Sequence, residues 1–251
     1  MTPLDAGTAE EWLSELRPSP ATAAATLVIL PHSGSSAESY RDWRHWFPAD
    51  VRLVAAQYPG RGTRYGQPLA TDMRALADPL AEVLAQLPGP LHLFGHSLGA
   101  LLGFEVCWRL QRAGRPVTAF YPSAASAPHA HVAKSPTAPE MTDAELIADV
   151  ADRGGVPRDI LADPELLDLV IATCRADMAI TSGYRHGPEQ RLLDCKLIAL
   201  GGEGDSIVPV SRLKRWPEVC TGPADVRVFT GGHFYLLDHL AEVTALIRSG
   251  F

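Results

Sequence analysis

Six short segments of the chain are apolar almost throughout and do not alternate between apolar and polar residues. They are residues 25–31, 51–57, 90–95, 117–124, 196–202 and 226–232. A continuous apolar run is typical of a strand that is buried on both faces, as in a parallel sheet covered by helices. The pattern therefore predicts a mainly parallel sheet at the centre of the protein.

Helical patterns lie between several of these segments. Residues 71–87 are amphipathic, and Pro79 within them predicts a kink or a restart of the helix. Residues 98–114 carry leucine and valine at helical spacing, and Gly114 suits the position just after a helix C-terminus. Alternating strands and helices with right-handed crossovers predict an α/β fold with a doubly wound, mainly parallel sheet.

The strand pattern is interrupted between about residues 128 and 188. A capping-box pattern starts one helix at Thr142, and an Asp-Pro-Glu sequence at Asp163 starts a longer helix that runs to about Tyr184. Ligands of such sheets bind where loops leave the strand ends, so a helical insertion there often covers the site. We predict a single domain over residues 1–251 with a helical lid at about 128–188. The alternative is an excursion with no role at the site.

Composition and charge exclude several classes of protein. The chain has 251 residues, of which 46% are apolar and 20% charged, and its 22 basic and 29 acidic residues give a net charge of −7. A disordered chain would be less hydrophobic, and a nucleic-acid-binding protein would be strongly basic on one face. We therefore expect one α/β domain with a large core and no nucleic-acid partner.

The sequence contains no pattern that indicates a cofactor, a metal site or a membrane segment. The N-terminal residues are acidic and unlike a secretory signal, and no apolar run approaches the roughly 18 residues of a membrane span. His129 and His131 form an H-x-H pair without a third ligand nearby. We expect a cytoplasmic protein with no cofactor, no metal and no membrane partner. We interpret the four widely spaced cysteines as reduced thiols; they are Cys107, Cys174, Cys195 and Cys220.

The strongest chemical signal is a G-x-S-x-G motif, Gly95-His96-Ser97-Leu98-Gly99. A predicted strand runs into the motif and a predicted helix leaves it. At such a sharp turn the serine backbone is strained, the flanking glycines avoid collisions, and the hydroxyl stands exposed at the carboxyl edge of the sheet. The positive end of the following helix lies beneath that hydroxyl. The motif therefore predicts a serine nucleophile at position 97.

A serine needs a general base that is held by an acid, and the order on this kind of fold is serine, acid, histidine. Asp205 lies in the loop after residues 196–202, and His233 follows the last predicted strand. Since the carboxyl ends of parallel strands lie along one edge of the sheet, Ser97, Asp205 and His233 are predicted to meet there. The other acids considered for the same role are Glu203, Asp225 and Asp238.

Two backbone amides are candidates for an oxyanion hole. The first is the amide of Leu98, which directly follows the nucleophile. The second would come from the loop after the first predicted strand, residues 31–36, whose small residues allow a close backbone approach, and Ser33 is the candidate. An ordinary polar turn is the alternative for this loop.

Four further residues are candidates for the substrate pocket. His32 and His96 flank the predicted site, where packing or orientation is an alternative role to substrate contact. Met178 and Tyr184 belong to the predicted lid helix. Their helical spacing also suits contacts between the lid and the core, so both interpretations stay open.

Several segments together resemble the type II thioesterases, which accompany polyketide synthases and non-ribosomal peptide synthetases. They are PHSGSSAESYRDW, QYPGRGTRYGQP, LFGHSLGALLGFEV, DPELLDLVIATCRADMAITSGY and GGHFYLL. The resemblance runs from about residue 25 to the C-terminus. It implies an α/β-hydrolase fold and an editing role in which acyl or aminoacyl thioesters are hydrolysed from the phosphopantetheine arm of a carrier protein. The family commonly has PHAGG where this chain has His32-Ser33-Gly34-Ser35, which puts the acyl preference in doubt rather than catalysis.

Other functions remain open at this point. A carboxylesterase or an acyltransferase on the same fold would use the same residues, and a non-catalytic ligand-binding protein would retain the fold without the activity. The absence of a reactive Cys–His pattern leaves serine chemistry as the first interpretation.

The expected partner is an acyl carrier or peptidyl carrier protein, and we expect the chain itself to be monomeric. Carrier proteins of these systems are generally acidic, so an anionic chain must bind them through a local basic or apolar patch. Ordinary solvated charges are the alternative interpretation of the candidate basic residues. The candidates are Arg61, Arg64, Arg212, Lys214 and Arg215.

Overall fold

Seven strands form one sheet in the computed structural model, which describes residues 9–19, 22–132, 137, 140–155, 163–187 and 191–251. The strands are β1 (Leu13–Glu15), β2 (Ala25–Leu30), β3 (Val51–Ala56), β4 (Leu91–His96), β5 (Ala119–Ser123), β6 (Lys196–Gly202) and β7 (Ala224–Phe229). The α-helices are α1 (Ala9–Trp12), α2 (Met73–Ala85), α3 (Leu98–Arg112), α4 (Asp143–Arg153), α5 (Pro164–Gly183), α6 (Val210–Leu213) and α7 (Leu240–Arg248). Short 3₁₀ helices cover Ala37–His45, Gly62–Arg64, Pro128–Ala130, Trp216–Val219 and Tyr235–Leu237.

The strand order is β1-β3-β2-β4-β5-β6-β7, and all neighbouring pairs from β3 to β7 are parallel. Each of the six predicted segments overlaps one of the strands β2 to β7, so the doubly wound, mainly parallel sheet is confirmed. The last strand ends at Phe229, earlier than predicted, because the chain turns at Gly231 with a φ of +107°. The antiparallel edge strand β1 was not predicted, since three residues are too short to show a periodic pattern.

Strands β2 to β6 are buried on both faces because helices cover both sides of the sheet, and successive side chains of each strand point to opposite faces. The predicted burial is wrong for β7, which lies at the edge of the sheet and whose residues are exposed or half-buried. In β2, Leu27 and Ile29 pack in the layer that contains the 3₁₀ helix Ala37–His45 and α7. Val28 and Leu30 pack in the opposite layer, which contains α2 and α3. All six residues of β2 are buried, which explains why its sequence is a continuous apolar run.

The ends of the flanking helices follow their sequence signals. The Asp72 side chain accepts a hydrogen bond from the Ala75 amide at 2.9 Å and caps α2. The predicted restart is wrong, because α2 continues through Pro79 while its apolar face stays packed on the sheet. At the C-terminus of α3, Gly114 has a φ of +74°, and the Arg115 amide donates to the Leu110 carbonyl at 2.8 Å. This arrangement is a Schellman motif, as expected for a glycine at that position.

Two helices, α4 and α5, occupy the chain between β5 and β6, as predicted. Among the described residues of the predicted insertion there is no strand; residues 133–136, 138–139, 156–162 and 188–190 lie outside them. The Thr142 and Glu145 side chains form the predicted capping box at the start of α4. The two helices share a buried apolar cluster formed by Leu146, Val150, Ile171 and Cys174.

The packing of β2 leads to a prediction about stability. Leu27 is completely buried, so Leu27→Ala should lower the free energy of unfolding by about 2–5 kcal/mol through lost burial and an unfilled cavity. Leu237 is 64% exposed, and the matched Leu237→Ala change should alter the free energy of unfolding by no more than about 0.5 kcal/mol. Urea unfolding followed by circular dichroism measures both values. Equal losses in the two variants would contradict the assignment of Leu27 to the core.

Candidate active site

Ser97 lies at a sharp turn between β4 and α3 with backbone angles of φ +56° and ψ −113°. Such a positive φ is strained for a residue other than glycine, so the surrounding structure must hold it. A Cβ at Gly95 would lie 2.1 Å from the Gly99 carbonyl oxygen, and one at Gly99 would lie 2.0 Å from the Leu30 carbonyl oxygen. The glycines of the motif are therefore required because three backbone segments approach one another closely beneath the serine.

The structure brings Ser97, His233 and Asp205 together in one hydrogen-bonded chain. His233 Nε2 lies 3.0 Å from Ser97 Oγ, and His233 Nδ1 lies 2.8 Å from Asp205 Oδ2. The second carboxylate oxygen of Asp205 accepts hydrogen bonds from the Ile207 and Val208 amides at 2.8 and 3.1 Å. His233 and Asp205 are both buried. The contact of Nδ1 with Asp205 thus orients the imidazole ring, and Nε2 points at the Ser97 hydroxyl.

The loops after β6 and β7 are held in contact by their backbones. The Gly204 amide donates to the Gly231 carbonyl at 2.9 Å, and a Cβ at Gly202 would lie 2.3 Å from the Gly232 carbonyl oxygen. This close approach sets the distance between the acid and the histidine that follow the two strands.

Asp205 is the acid that contacts His233, whereas the alternative acids have exposed side chains. Burial tends to raise the pKa of Asp205, but the hydrogen bonds from His233 and from two backbone amides outweigh it and the pKa is lowered. Asp205 is therefore ionised at neutral pH. The side chains of Glu203, Asp225 and Asp238 are exposed, and Asp225 forms an ion pair with Arg227 at 2.7 Å.

Ser97 opens into a cavity of about 450 Å³, whose lining also includes Ser33, Leu98, Met178 and His233. Both predicted oxyanion donors are thus beside the serine. Within the described part of the chain, neither the Ser33 amide nor the Leu98 amide donates a hydrogen bond to another residue. The Leu98 amide is at the first position of α3, where a helix leaves its N–H groups unpaired.

His32 and His96 lie close to His233 as neutral rings. The ring of His96 lies 5.4 Å from that of His233 and 5.8 Å from that of His32. Burial, together with the charge of His233, lowers the pKa of His32 to about 3 and that of His96 well below 6.5. His96 Nδ1 contacts Ser123 Oγ at 2.9 Å, so this ring supports the site from behind, while His32 lines a small recess beside Ser97.

The two candidates on the insertion are placed differently. Met178 lines the cavity beside Ser97. Tyr184 does not line it: its hydroxyl donates to Glu105 Oε1 at 2.9 Å, and its ring is buried against α3. The prediction that Tyr184 lines the substrate pocket is therefore wrong. The reason is that α5 ends at Gly183, and the chain then turns away from the cavity toward α3.

The predicted basic patch is only partly present. Arg61 is buried and forms an ion pair with Asp177, so it is not a surface docking residue. The guanidinium of Arg64 lies 4.3 Å from the ring centre of Trp12, and Arg215 pairs with Glu218. Of the remaining two candidates, one lies at the cavity and the other is two residues further along the chain. Arg212 lines its wall, and Lys214 is exposed.

Asp177 was not among the residues predicted from the sequence. Asp177 is 1% exposed, and it lies on α5 among apolar residues. The segment also contains Glu165, Asp168 and Arg175, so no local pattern marked Asp177 as the buried acid. Ser35, the departure from the family pattern, is buried and donates to the Ser36 carbonyl, and it does not line the described cavity.

The histidine pair at positions 129 and 131 is divided between two other partners. His129 Nε2 contacts Glu218 at 2.8 Å, whereas His131 Nε2 contacts the Thr181 carbonyl at 2.9 Å. In the described ranges, no three side chains of His, Cys, Asp or Glu are grouped in a way that could hold a metal ion. No helix in those ranges has the length and apolar character needed to cross a bilayer.

The sheet, the strained serine turn and the Ser–His–Asp arrangement together define an α/β-hydrolase. Residues 25–250 match the Thioesterase domain family. The probable cadicidin biosynthesis thioesterase of Streptomyces griseus is 35% identical over 96% of this chain, which spans 66% of that protein. The chain therefore belongs to the thioesterase family, as the sequence resemblance predicted.

Solved structures agree with this assignment. The type II thioesterase BorB from the borrelidin biosynthetic cluster has a TM-score of 0.88 and 33% identity, with 95% of this chain and 97% of that chain covered. YbtT, a type II thioesterase from the yersiniabactin NRPS/PKS pathway, has a TM-score of 0.83 and 27% identity, with 96% and 98% covered. The predicted resemblance to type II thioesterases and the predicted α/β-hydrolase fold are both confirmed.

The neutral state of His96 predicts a pH dependence of stability. Its pKa is far below the ordinary value in the folded protein, whereas the unfolded chain takes up this proton below about pH 6.5. The unfolded state then binds more protons, so the free energy of unfolding should fall as the pH drops below about 6.5. His96→Asn should reduce that slope by about 1 kcal/mol per pH unit. Urea unfolding at pH 7.0, 6.0 and 5.0 tests this, and an unchanged slope in the variant would refute it.

Proposed function

We propose that this chain hydrolyses acyl or aminoacyl thioesters carried on the phosphopantetheine arm of a carrier protein, in polyketide or non-ribosomal peptide biosynthesis. The observation that carries this proposal is the continuous contact from Asp205 through His233 to Ser97 at the wall of an open cavity. Membership of the thioesterase family supports thioesters as the substrate class.

The first half of the reaction transfers the acyl group to the protein. His233 Nε2 accepts the Ser97 hydroxyl proton while Oγ attacks the thioester carbonyl carbon. The negative charge that develops on the carbonyl oxygen is stabilised by the Ser33 and Leu98 amides and by the N-terminus of α3. The C–S bond then breaks, and the phosphopantetheine sulfur leaves as a thiol after it receives the proton from His233.

The second half of the reaction releases the acid. Water gives a proton to His233 and attacks the acyl-serine ester carbonyl, which the same two amides polarise. Collapse of this intermediate breaks the bond to Ser97 Oγ, and His233 returns the proton to the serine. Asp205 keeps the imidazole in the required tautomer and stabilises its protonated form during both halves. No cofactor is needed for any of these steps.

The helical insertion acts as a wall and a lid of the acyl site. Arg153 from α4 and Met178 and Thr181 from α5 line the cavity, opposite Leu101 and Val208 from the core. Apolar groups from both sides thus face the space beside Ser97. This supports the lid interpretation, because removing the insertion would leave the acyl group exposed to water.

The nucleophile is tested by Ser97→Ala, which should abolish turnover of an acyl-carrier thioester and labelling by a fluorophosphonate probe. Asp205→Asn keeps the shape of the site but loses the charge that orients His233, and it should lower kcat by about 10³-fold to 10⁴-fold. The control is Ser249→Ala, an exposed serine near Lys196 and Ala224 at the starts of β6 and β7, away from the strand ends that carry the site, which should retain full activity. Acyl release that persists in Ser97→Ala would refute the mechanism. Competing alcohols or amines in the assay identify an acyltransferase by its products.

Carrier docking is tested by reversing the charge of Lys214, which is exposed and follows the cavity residue Arg212 by two residues in the chain. Lys214→Glu should raise KM for an acyl-carrier substrate by about threefold to tenfold, because it repels an acidic partner. It should spare a small N-acetylcysteamine thioester. The control is Arg248→Glu, which makes the same charge change near Phe251, whose ring contacts His92 at the opposite edge of the sheet. Equal effects of Lys214→Glu on both substrates would refute this docking surface.

A further inference from the structure

The loop that carries the Ser33 amide is a tight turn pressed against α5. The Ser35 amide donates to the His32 carbonyl at 3.1 Å, and Gly34 has a φ of +77°, which is typical of the third residue of a type II turn. A Cβ at Gly34 would lie 2.1 Å from Cys174 Sγ on α5. Only glycine therefore permits both the turn and its contact with the inserted helix.

The peptide unit between Ser33 and Gly34 is held on both sides by α5. The Gly34 amide donates to Asp177 Oδ2 at 2.8 Å. The Ser33 carbonyl lies 3.9 Å from Cys174 Sγ, one helical turn before Asp177. Type I and type II turns differ by rotation of this central peptide, so these contacts fix which form the loop adopts.

Asp177 is in turn held by Arg61. The guanidinium makes a bidentate contact with the carboxylate, with Nη2 at 2.8 Å from Oδ1 and Nη1 bonded to Oδ2. The same Nη1 lies 3.4 Å from the Ser35 carbonyl oxygen. The side chains of Arg61 and Asp177 are only 6% and 1% exposed. Removing two charges from water costs free energy, so a buried ion pair often adds little to the stability of the fold. Stability alone therefore does not explain why this pair is present.

Gln57 connects this pair to the far end of the same loop. Its side-chain nitrogen donates to the Arg61 carbonyl at 2.7 Å, and its side-chain oxygen accepts from the Ala37 amide at 3.3 Å. The QYPGR segment therefore contacts the loop at Ser35 and at Ala37, while Asp177 contacts it at Gly34. Gln57 and Arg61 are both buried, so these two side chains pack on the loop and are not exposed at the surface.

We propose that the buried Arg61–Asp177 pair is a positioning device that holds the Ser33 amide ready for the oxyanion, and that it forms only when α5 is seated on the core. This inference rests on the proposed function, since it assigns a role within that reaction. Neither residue lines the described cavity, so neither touches the substrate there. An oxyanion donor acts through its fixed orientation, which a loosened turn would lose.

The test is Asp177→Asn, which keeps the side-chain shape and removes the charge. Removing one oxyanion donor costs about 10²-fold to 10³-fold in kcat, so displacing one should lower kcat about 10-fold to 100-fold. The substrate is a small acyl N-acetylcysteamine thioester, which excludes effects of carrier docking. KM should change less than about threefold, because the ground-state carbonyl depends little on the hole. Binding of an alkyl boronic acid, which forms a tetrahedral adduct with Ser97, should weaken by the same factor as kcat.

The matched control is Glu105→Gln. Glu105 is also buried, and it accepts from Arg109 at 2.6 Å, from Arg191 at 2.8 Å and from Tyr184, away from the cavity. Both variants should lower Tm, but Glu105→Gln should keep kcat and boronic acid affinity within twofold of the wild type. Arg61→Lys keeps the charge but loses the bidentate contact, and it should show a smaller fall in kcat in the same direction, which makes it the second variant if Asp177→Asn does not fold.

The outcomes separate this inference from the proposed function. If Ser97→Ala is inactive while Asp177→Asn and Arg61→Lys retain kcat within twofold, the positioning role is refuted and the proposed function stands. Equal losses of kcat in Asp177→Asn and Glu105→Gln, in parallel with Tm, would reduce the pair to a general stabilising contact and also refute the role. Hydrolysis that persists in Ser97→Ala would refute the proposed function itself.

Discussion

The close approach of β2, β4 and α3 beneath Ser97 sets the geometry of the whole site. The serine can take its strained backbone only because Gly95 and Gly99 let three backbone segments meet with no side chain between them. Any larger residue there would separate the helix from the sheet by about the size of a methyl group. The position of the hydroxyl, the orientation of the Leu98 amide and the direction of the helix axis all follow from this one contact.

The remaining parts of the site are arranged around that serine by the ends of neighbouring strands. The loops after β6 and β7 touch through glycine backbones, which brings Asp205 and His233 into line with Ser97. The neutral rings of His32 and His96 pack beside His233 without adding positive charge. In the proposed mechanism, a protonated His233 would therefore have no second imidazolium beside it and would lie next to an ionised Asp205.

The inserted helices link the site to a part of the chain far away in sequence. Through Asp177, α5 contacts the loop of Ser33 and is paired with Arg61, 116 residues away along the chain. The insertion therefore contributes more than a cover to the cavity, because the loop beside the nucleophile packs directly on it.

Local patterns in the sequence were sufficient for the six parallel strands, the helix caps, the serine turn and the membership of the thioesterase family. These features depend on neighbouring residues, such as the apolar run of β2 or the glycines around Ser97. Tertiary structure alone decided that Arg61 is buried with Asp177, that Tyr184 faces α3 and that β1 joins the edge of the sheet. The physical reason is that residue type alone does not fix whether a charged or aromatic side chain is buried or exposed. Its partner comes from a distant segment that only the folded chain brings close.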